Sequence, residues 1–299
     1  MEEKDRQSNS KNINNYYINK YNNIYIKRTR EKYPHRTGDL KHFHNTYELW
    51  YLLTGKSSAF VKDKINKLDR ESILLIDKNT IHKILVKEKT IPERIVIEFK
   101  EDFLNEKLTS ENTKNLLQCF KKNIYTVNLP SDYRLLIENN LFEIVEENKK
   151  QDIYYNYCIL NLLSEILIYL NRIIENTSLI ESNSSDESED IIVKILKYIK
   201  NNYQKELSLE HISNKFYISK YYFSRQFKEN TGFTFTEYIN HRRIMEAQKI
   251  LKNSDINVTK IAYKVGYNSI SQFYRMFKRV SDLPPLQYRK QYKQNKQKK

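Results

Sequence analysis

The chain has 299 residues, a formal net charge of +15, 39% hydrophobic residues and two cysteines, Cys119 and Cys158. Both cysteines lie in apolar, helix-like surroundings and read as structural thiols rather than a disulfide or a metal pair. The polar, Asn-rich start has no apolar signal core and no run approaches the roughly 18 apolar residues of a membrane span, so a cytoplasmic protein without a membrane segment is expected.

Residues 1–20 form a polar N-terminal arm. Beyond them, 21–105 is rich in short β-type runs, Tyr47 to Leu53, Ser57 to Val61, Ser72 to Ile76, His82 to Val86 and Arg94 to Phe99, separated by polar turns. That rhythm predicts a small antiparallel barrel or sandwich. Within it lies the spacing His42-x-His44-x3-Glu48-x6-Gly55, with His82 at the start of a later run. Residues two apart on a strand share a face, so His42, His44 and Glu48 can converge, and imidazole with carboxylate suits a divalent transition metal. The spacing resembles the first motif of cupin barrels, and His82 resembles the histidine of the second. Asp77 and Asn79 stand where that second motif has Pro and Gly. His42, His44, Glu48 and His82 are therefore candidate ligand-binding residues lining a small-molecule pocket, with a divalent metal as the alternative and no cofactor otherwise expected. Trp50, the single tryptophan, is expected in the core.

From 106 to 180 the apolar period changes to that of helices, including Tyr133 to Glu147 and Tyr154 to Ile174. The broad face of Ile159, Leu162, Leu163, Ile166, Leu167 and Leu170 can pack onto the barrel or onto a second copy of the chain. The acidic, Ser-rich stretch 181–190 reads as a linker.

Beyond it the charge changes. Residues 187–299 hold 23 Lys or Arg against 10 Asp or Glu, a net +13, whereas 1–186 hold 29 against 27, a net +2. A basic domain joined to a near-neutral one points to a polyanion-binding module. After an amphipathic helix from Ile191 to Tyr203, the same pattern occurs twice: Ile212, Phe216 and Ile218 match Ile261, Val265 and Tyr267 at an offset of 49, and Phe223, Arg225, Phe227 and Lys228 match Phe273, Arg275, Phe277 and Lys278 at 50. Two helix-turn-helix units follow. Ser208 and Ser219 are N-caps, Tyr217 and Gly266 occupy the two turns, and Thr234 with Glu237 forms a capping box on a connector helix from Glu237 to Leu251. With Phe223, Phe227, Phe273 and Phe277 buried, the DNA-facing candidates are Lys220, Tyr221, Ser224, Arg225 and Lys228 in the first unit. In the second they are Ser269, Ile270, Ser271, Tyr274, Arg275 and Lys278. The stretch 291–299 reads as a disordered basic tail adding salt-sensitive affinity.

Residues 191–290 resemble the DNA-binding domain of AraC/XylS-type transcriptional regulators. The resemblance rests on Leu209 to Lys228, Thr231-Gly232, Tyr238-Ile239, Arg243, Ala247, Leu251, Ile261-Ala262, Val265-Gly266-Tyr267, Phe273-x3-Phe277-Lys278 and Pro285-x2-Tyr288-Arg289. Asp282 stands where the family often has glycine. The expected architecture is α+β: a cupin-like antiparallel barrel, a helical middle segment and an all-α domain with two helix-turn-helix units. The resemblance implies a sequence-specific regulator, an activator, of double-stranded DNA, controlled by a small-molecule effector such as a sugar, contacting RNA polymerase and forming a homodimer. A metal-dependent cupin enzyme with a nucleic-acid-localising domain is the rival from another class, and an architectural DNA binder without sequence preference is a third.

Overall fold

Strand β2 (Tyr47–Thr54) shows how the N-terminal half is layered, because alternate side chains of a strand face opposite sides. Tyr47, Leu49 and Tyr51 join a core shared with helices, while Trp50 and Leu52 join a second core between two sheets. The computed structural model describes residues 23–30, 44–85, 91–178 and 191–297. The polar arm 1–20, His42 and the acidic linker 181–190 lie outside the described residues.

The larger sheet has the order β1-β7-β2-β5-β8 and the smaller β4-β3-β6, with every pairing antiparallel. Their remaining members are β1 (Ile24–Arg30), β3 (Ser57–Val61), β4 (Lys64–Leu68), β5 (Ser72–Ile76), β6 (His82–Leu85), β7 (Glu93–Phe99) and β8 (Thr126–Asn128). Strands β2, β3, β5, β6 and β7 match the predicted runs to within a residue or two; β1, β4 and β8 were not foreseen. Strand β8 lies beyond residue 105, so the expected end of the β domain falls short of a strand that pairs with β5. Between the sheets, Trp50, Leu52, Ala59, Val61, Leu68, Leu74, Ile76, Ile84, Val96 and Tyr125 form an apolar core. Trp50 is thus core, as expected.

Short helices α1 (Glu101–Asn105) and α2 (Ser110–Leu116) and a 3₁₀ turn at Leu117–Phe120 lead to α3 (Ser131–Lys150) and α4 (Tyr155–Ser178). By length and composition α4 could cross a membrane. Its apolar face, Ile159, Leu163, Ile166, Leu167 and Leu170, is instead buried with α3 and the outer face of the larger sheet. Packing within the chain is one of the two uses foreseen for that face. Cys119 is buried, but Cys158 is exposed on α4, which corrects the expectation of two structural thiols. Apolar neighbours in sequence identify a helix without fixing which way one residue on it points.

The C-terminal domain consists of α5 (Ile191–Asn202), α6 (Leu209–Phe216), α7 (Lys220–Thr231), α8 (Phe235–Asn253), α9 (Val258–Lys264), α10 (Ile270–Ser281) and α11 (Pro285–Gln297). Helix α11 continues to Gln297, so most of 291–299, expected as a disordered tail, is helical. Tyr288 is buried in the second unit's core and Tyr292 packs against it. These aromatic anchors give the helix a reason to extend into the basic terminus.

Candidate nucleic-acid interface

Each recognition helix is fixed at its N-terminus by a serine cap. Ser219 and Ser269 accept hydrogen bonds from the amides of Tyr222 and Gln272, capping α7 and α10. Their hydroxyls are engaged locally, which gives Ser269 a capping role at the base of the reading face. Ser208 caps α6 in the same way, and Thr234 with Glu237 completes the capping box that starts α8. Phe223, Phe227, Phe273 and Phe277 are all fully buried, so the rotation of both helices is set as the spacing predicts. The connector is longer than foreseen: 19 residues, or about 28 Å at 1.5 Å per residue.

In the first unit Lys220, Tyr221, Ser224, Arg225 and Lys228 are all exposed, as are Ser269, Ser271, Arg275 and Lys278 in the second. Ile270 and Tyr274 are half-buried and pack on the second unit's core, so they offer less surface than expected. Tyr222 and Gln272, at equivalent positions one turn into each helix, are exposed and were not foreseen. Recognising them needs only a look at the side opposite the buried phenylalanines.

The two faces differ electrostatically. Lys220 pairs with Glu210 at 2.8 Å and Arg225 lies 3.7 Å from Glu229. Among the described residues no carboxylate stands within ion-pair distance of Arg275, Lys278 or Arg279. These exposed pairs are weak and exchange readily for phosphate. The second face therefore presents the less compensated positive charge.

The turns also differ. Tyr217 adopts φ +54 and Gly266 φ +95, so the first turn places a tyrosine in the left-handed region where the second uses glycine. A Cβ at Gly266 would lie 2.5 Å from the Gln204 carbonyl oxygen. That approach is held by Arg243, which donates to the carbonyls of Tyr203 at 2.8 Å and Lys205 at 2.9 Å. Asp282 takes φ +56, close to the φ +76 of its counterpart Gly232, so the expected turn forms with aspartate in glycine's place. A cavity of about 170 Å³ separates α8 from α10, lined by Asn240, His241, Met276, Arg279 and Val280 among others. Burial pushes the His241 imidazole down to about 4, and among the described residues its Nδ1 has no hydrogen-bond partner.

The second candidate site lies at one end of the space between the sheets. The Nε2 atoms of His44 and His82 each stand 3.1 Å from one Glu48 oxygen. Nδ1 of His44 lies 3.1 Å from the Thr46 carbonyl and Nδ1 of His82 lies 2.9 Å from that of Thr80, which turns both Nε2 atoms toward the carboxylate. Three of the four predicted residues are therefore brought together, with donor atoms within 4.8 Å of one another; His42 is outside the described residues. Burial disfavours the Glu48 carboxylate, yet its bonds to His44 and His82 prevail and hold its pKa well below the ordinary range. Burial opposes protonation of His44, but the hydrogen bond and charge of Glu48 raise it. Glu98, paired with Glu48 across β7 and β2, was missed; burial and the Glu48 charge raise its pKa. Its position in an apolar run concealed it. Asn79, with φ +60, supplies the positive-φ turn before His82 that a glycine would otherwise provide. Tethered Nδ1 atoms and convergent Nε2 and carboxylate donors fit a divalent transition ion.

Residues 212–291 match the model of a family described as a helix-turn-helix domain. The chain is 33% identical over 102 residues to the regulatory protein PocR of Salmonella typhimurium, covering 34% of each protein. It is 30% identical over 128 residues to the HTH-type transcriptional activator RhaS of Citrobacter koseri, covering 43% of this chain and 44% of that one. The chain thus spans about a third to under half the length of these curated relatives. Structural comparison with ToxT of Vibrio cholerae gives 18% identity and a TM-score of 0.36, over 89% of this chain and 97% of that one.

Proposed function

We propose that the C-terminal domain, in which residues 212–291 match a helix-turn-helix family and the chain is similar to PocR and RhaS, is an AraC/XylS-type double helix-turn-helix domain, and that the whole chain is a sequence-specific transcriptional regulator of double-stranded DNA, an activator, and not an enzyme. The observation that carries this reading is the pair of equivalent exposed faces, Tyr221, Ser224, Arg225 and Lys228 on α7 and Ser271, Arg275 and Lys278 on α10, joined by one rigid connector. Arg225 and Arg275 suit bidentate contacts to guanine, while Lys228 and Lys278 suit phosphates. The N-terminal two-sheet domain binds the controlling small molecule, a sugar among the candidates, at His44, Glu48 and His82. The reading is completed by a cytoplasmic homodimer that contacts RNA polymerase.

Sequencing the genomic fragments retained by the purified chain tests specificity. On a retained site, Arg225→Ala or Arg275→Ala is expected to weaken binding by on the order of 10- to 100-fold, with a much smaller loss on random duplex. Equal losses on both would refute base readout by these arginines.

The convergent donors of His44, Glu48 and His82 favour one further reading, a divalent ion as occupant of the N-terminal site. Such an ion would supply a fixed positive charge and an open coordination position for the effector. Metal analysis of protein purified without chelator or affinity tag is expected to find it near one equivalent, and protein that holds none and takes up none from added divalent salt would eliminate it.

A further inference from the structure

One face of the smaller sheet looks inward to the inter-sheet core, and the other is covered by the first helix-turn-helix unit. Phe60 of β3 and Ile81 are buried in the same cluster as Phe223, Phe227, Phe233 and Tyr238. The Phe60 ring meets Phe233 at 6.1 Å and Tyr238 at 5.7 Å, both edge-on. The core behind the first recognition helix is therefore closed by residues of the N-terminal domain. The second unit's cluster instead draws every member from residue 203 onward.

Polar contacts fasten the same face. Lys200 pairs with Asp63 at 2.7 Å, and the Tyr238 hydroxyl donates to the Lys62 carbonyl at 3.3 Å. Lys83 of β6 donates from Nζ to the Gly232 carbonyl at 2.6 Å. Gly232 is the left-handed residue that ends α7, and its amide bonds back to the Lys228 carbonyl. A Cβ at Gly232 would stand 2.2 Å from Lys83 Cδ and 2.8 Å from Cγ, so the lysine stem occupies the space that glycine leaves open. The ammonium lies 5.5 Å from the centre of the adjoining Phe233 ring. Asp282, the counterpart of Gly232 in the second unit, is exposed.

We infer that Lys83 is a positioning residue for DNA reading: a side chain of the N-terminal domain that fixes the C-terminal end of α7, and with it the first reading face, while α10 reads without such a contact. A cation at a helix C-terminus is favourably placed against the unpaired carbonyls, and the fit into a glycine gap makes the contact specific to this end of this helix. The inference rests on the proposed sequence-specific DNA binding.

The test uses the full chain and a pool of random-sequence duplexes long enough for two half-sites one helical turn apart. Wild type, Lys83→Met and Lys83→Arg each select from the pool, and the enriched sequences are compared block by block. Wild type is expected to enrich two blocks. Lys83→Met keeps the apolar stem but removes the donor and charge, and is expected to lower preference in one block by on the order of tenfold, the size of a lost base contact. The other block should be retained, which also reports that the variant is folded, and Lys83→Arg should retain both. Equal weakening of both blocks, or no change in either, overturns the inference. A wild type that enriches no block overturns the sequence-specific reading instead. Amide exchange of the unbound chain is a second readout: Lys83→Met is expected to speed exchange at Gly232 and Phe233 and not at Asp282 and Leu283, and unchanged rates at the first pair count against the latch. Lys83→Leu takes the place of Lys83→Met if the latter does not fold, with the same expectations.

Discussion

His241 illustrates how a single side chain can record the cost of its surroundings. It sits on α8 at the cavity facing α10, with its ring 5.8 Å from that of Phe233, and burial pushes its pKa down to about 4. An unfolded chain protonates the same imidazole near pH 6.5. As pH falls, the unfolded state takes up its proton first, so the folded state loses stability between these two values and no further below the lower one. Between about pH 7.5 and about pH 5 this single group is expected to remove about 2 kcal/mol. Urea unfolding at the two pH values checks it: His241→Leu should show a pH-dependent loss smaller by that amount, and an identical loss in both proteins would exclude His241 as its source. Nothing in the sequence around His241 announces this environment. Its burial depends on α10, contributed by a separate part of the chain.

Among elements, the helices of the C-terminal domain were the most legible and the short strands the least. Ser208, Ser219, Thr234 and Glu237 mark helix starts through local hydrogen bonds, so four or five adjacent residues are enough to reveal them. Strand β4, Lys-Ile-Asn-Lys-Leu, carries only two apolar residues, and β8 has three residues in all. Both are strands because β3 and β5 offer them an edge, information that no local window contains. Tyr217 makes its turn at φ +54, and the side chain is 96% exposed. A left-handed conformation costs a residue with a Cβ roughly 1–2 kcal/mol, and here little packing offsets it. Tyr217→Gly is accordingly expected to stabilise the chain by about 1 kcal/mol, after the added chain entropy of glycine is allowed for. Thermal unfolding measures it, and a loss of stability would reveal contacts of the tyrosine that outweigh its strain.

At the level of the whole molecule, the basic C-terminal end is two things at once. Tyr288 and Tyr292 tie α11 to the second unit's core, so the cut that isolates the charge falls after Tyr292. Removing 293–299 takes away four lysines. It is expected to reduce the slope of log affinity against log salt by up to about 4, leaving the ratio of specific to random binding unchanged. Titrations at several salt concentrations test this, and a changed ratio would assign base reading to the terminus. The division into a near-neutral and a basic part was plain from the sequence. The junction between them was not, since Lys83 and Gly232 are 149 positions apart and each has an ordinary local explanation, an outward lysine on a strand and a glycine at a helix end.

The same strand joins two events that look separate. His82 points into the cluster with His44 and Glu48, and the next residue, Lys83, points out to the end of α7. Consecutive strand residues are bound to opposite faces, so a shift of β6 that suits one must be felt by the other. Binding free energies coupled in this way are reciprocal: whatever factor an occupant of the inner cluster exerts on DNA affinity, DNA exerts on the affinity for that occupant. Under the proposed function the operator is then an effector in its own right, and an occupant of the inner cluster would be held differently on and off the duplex.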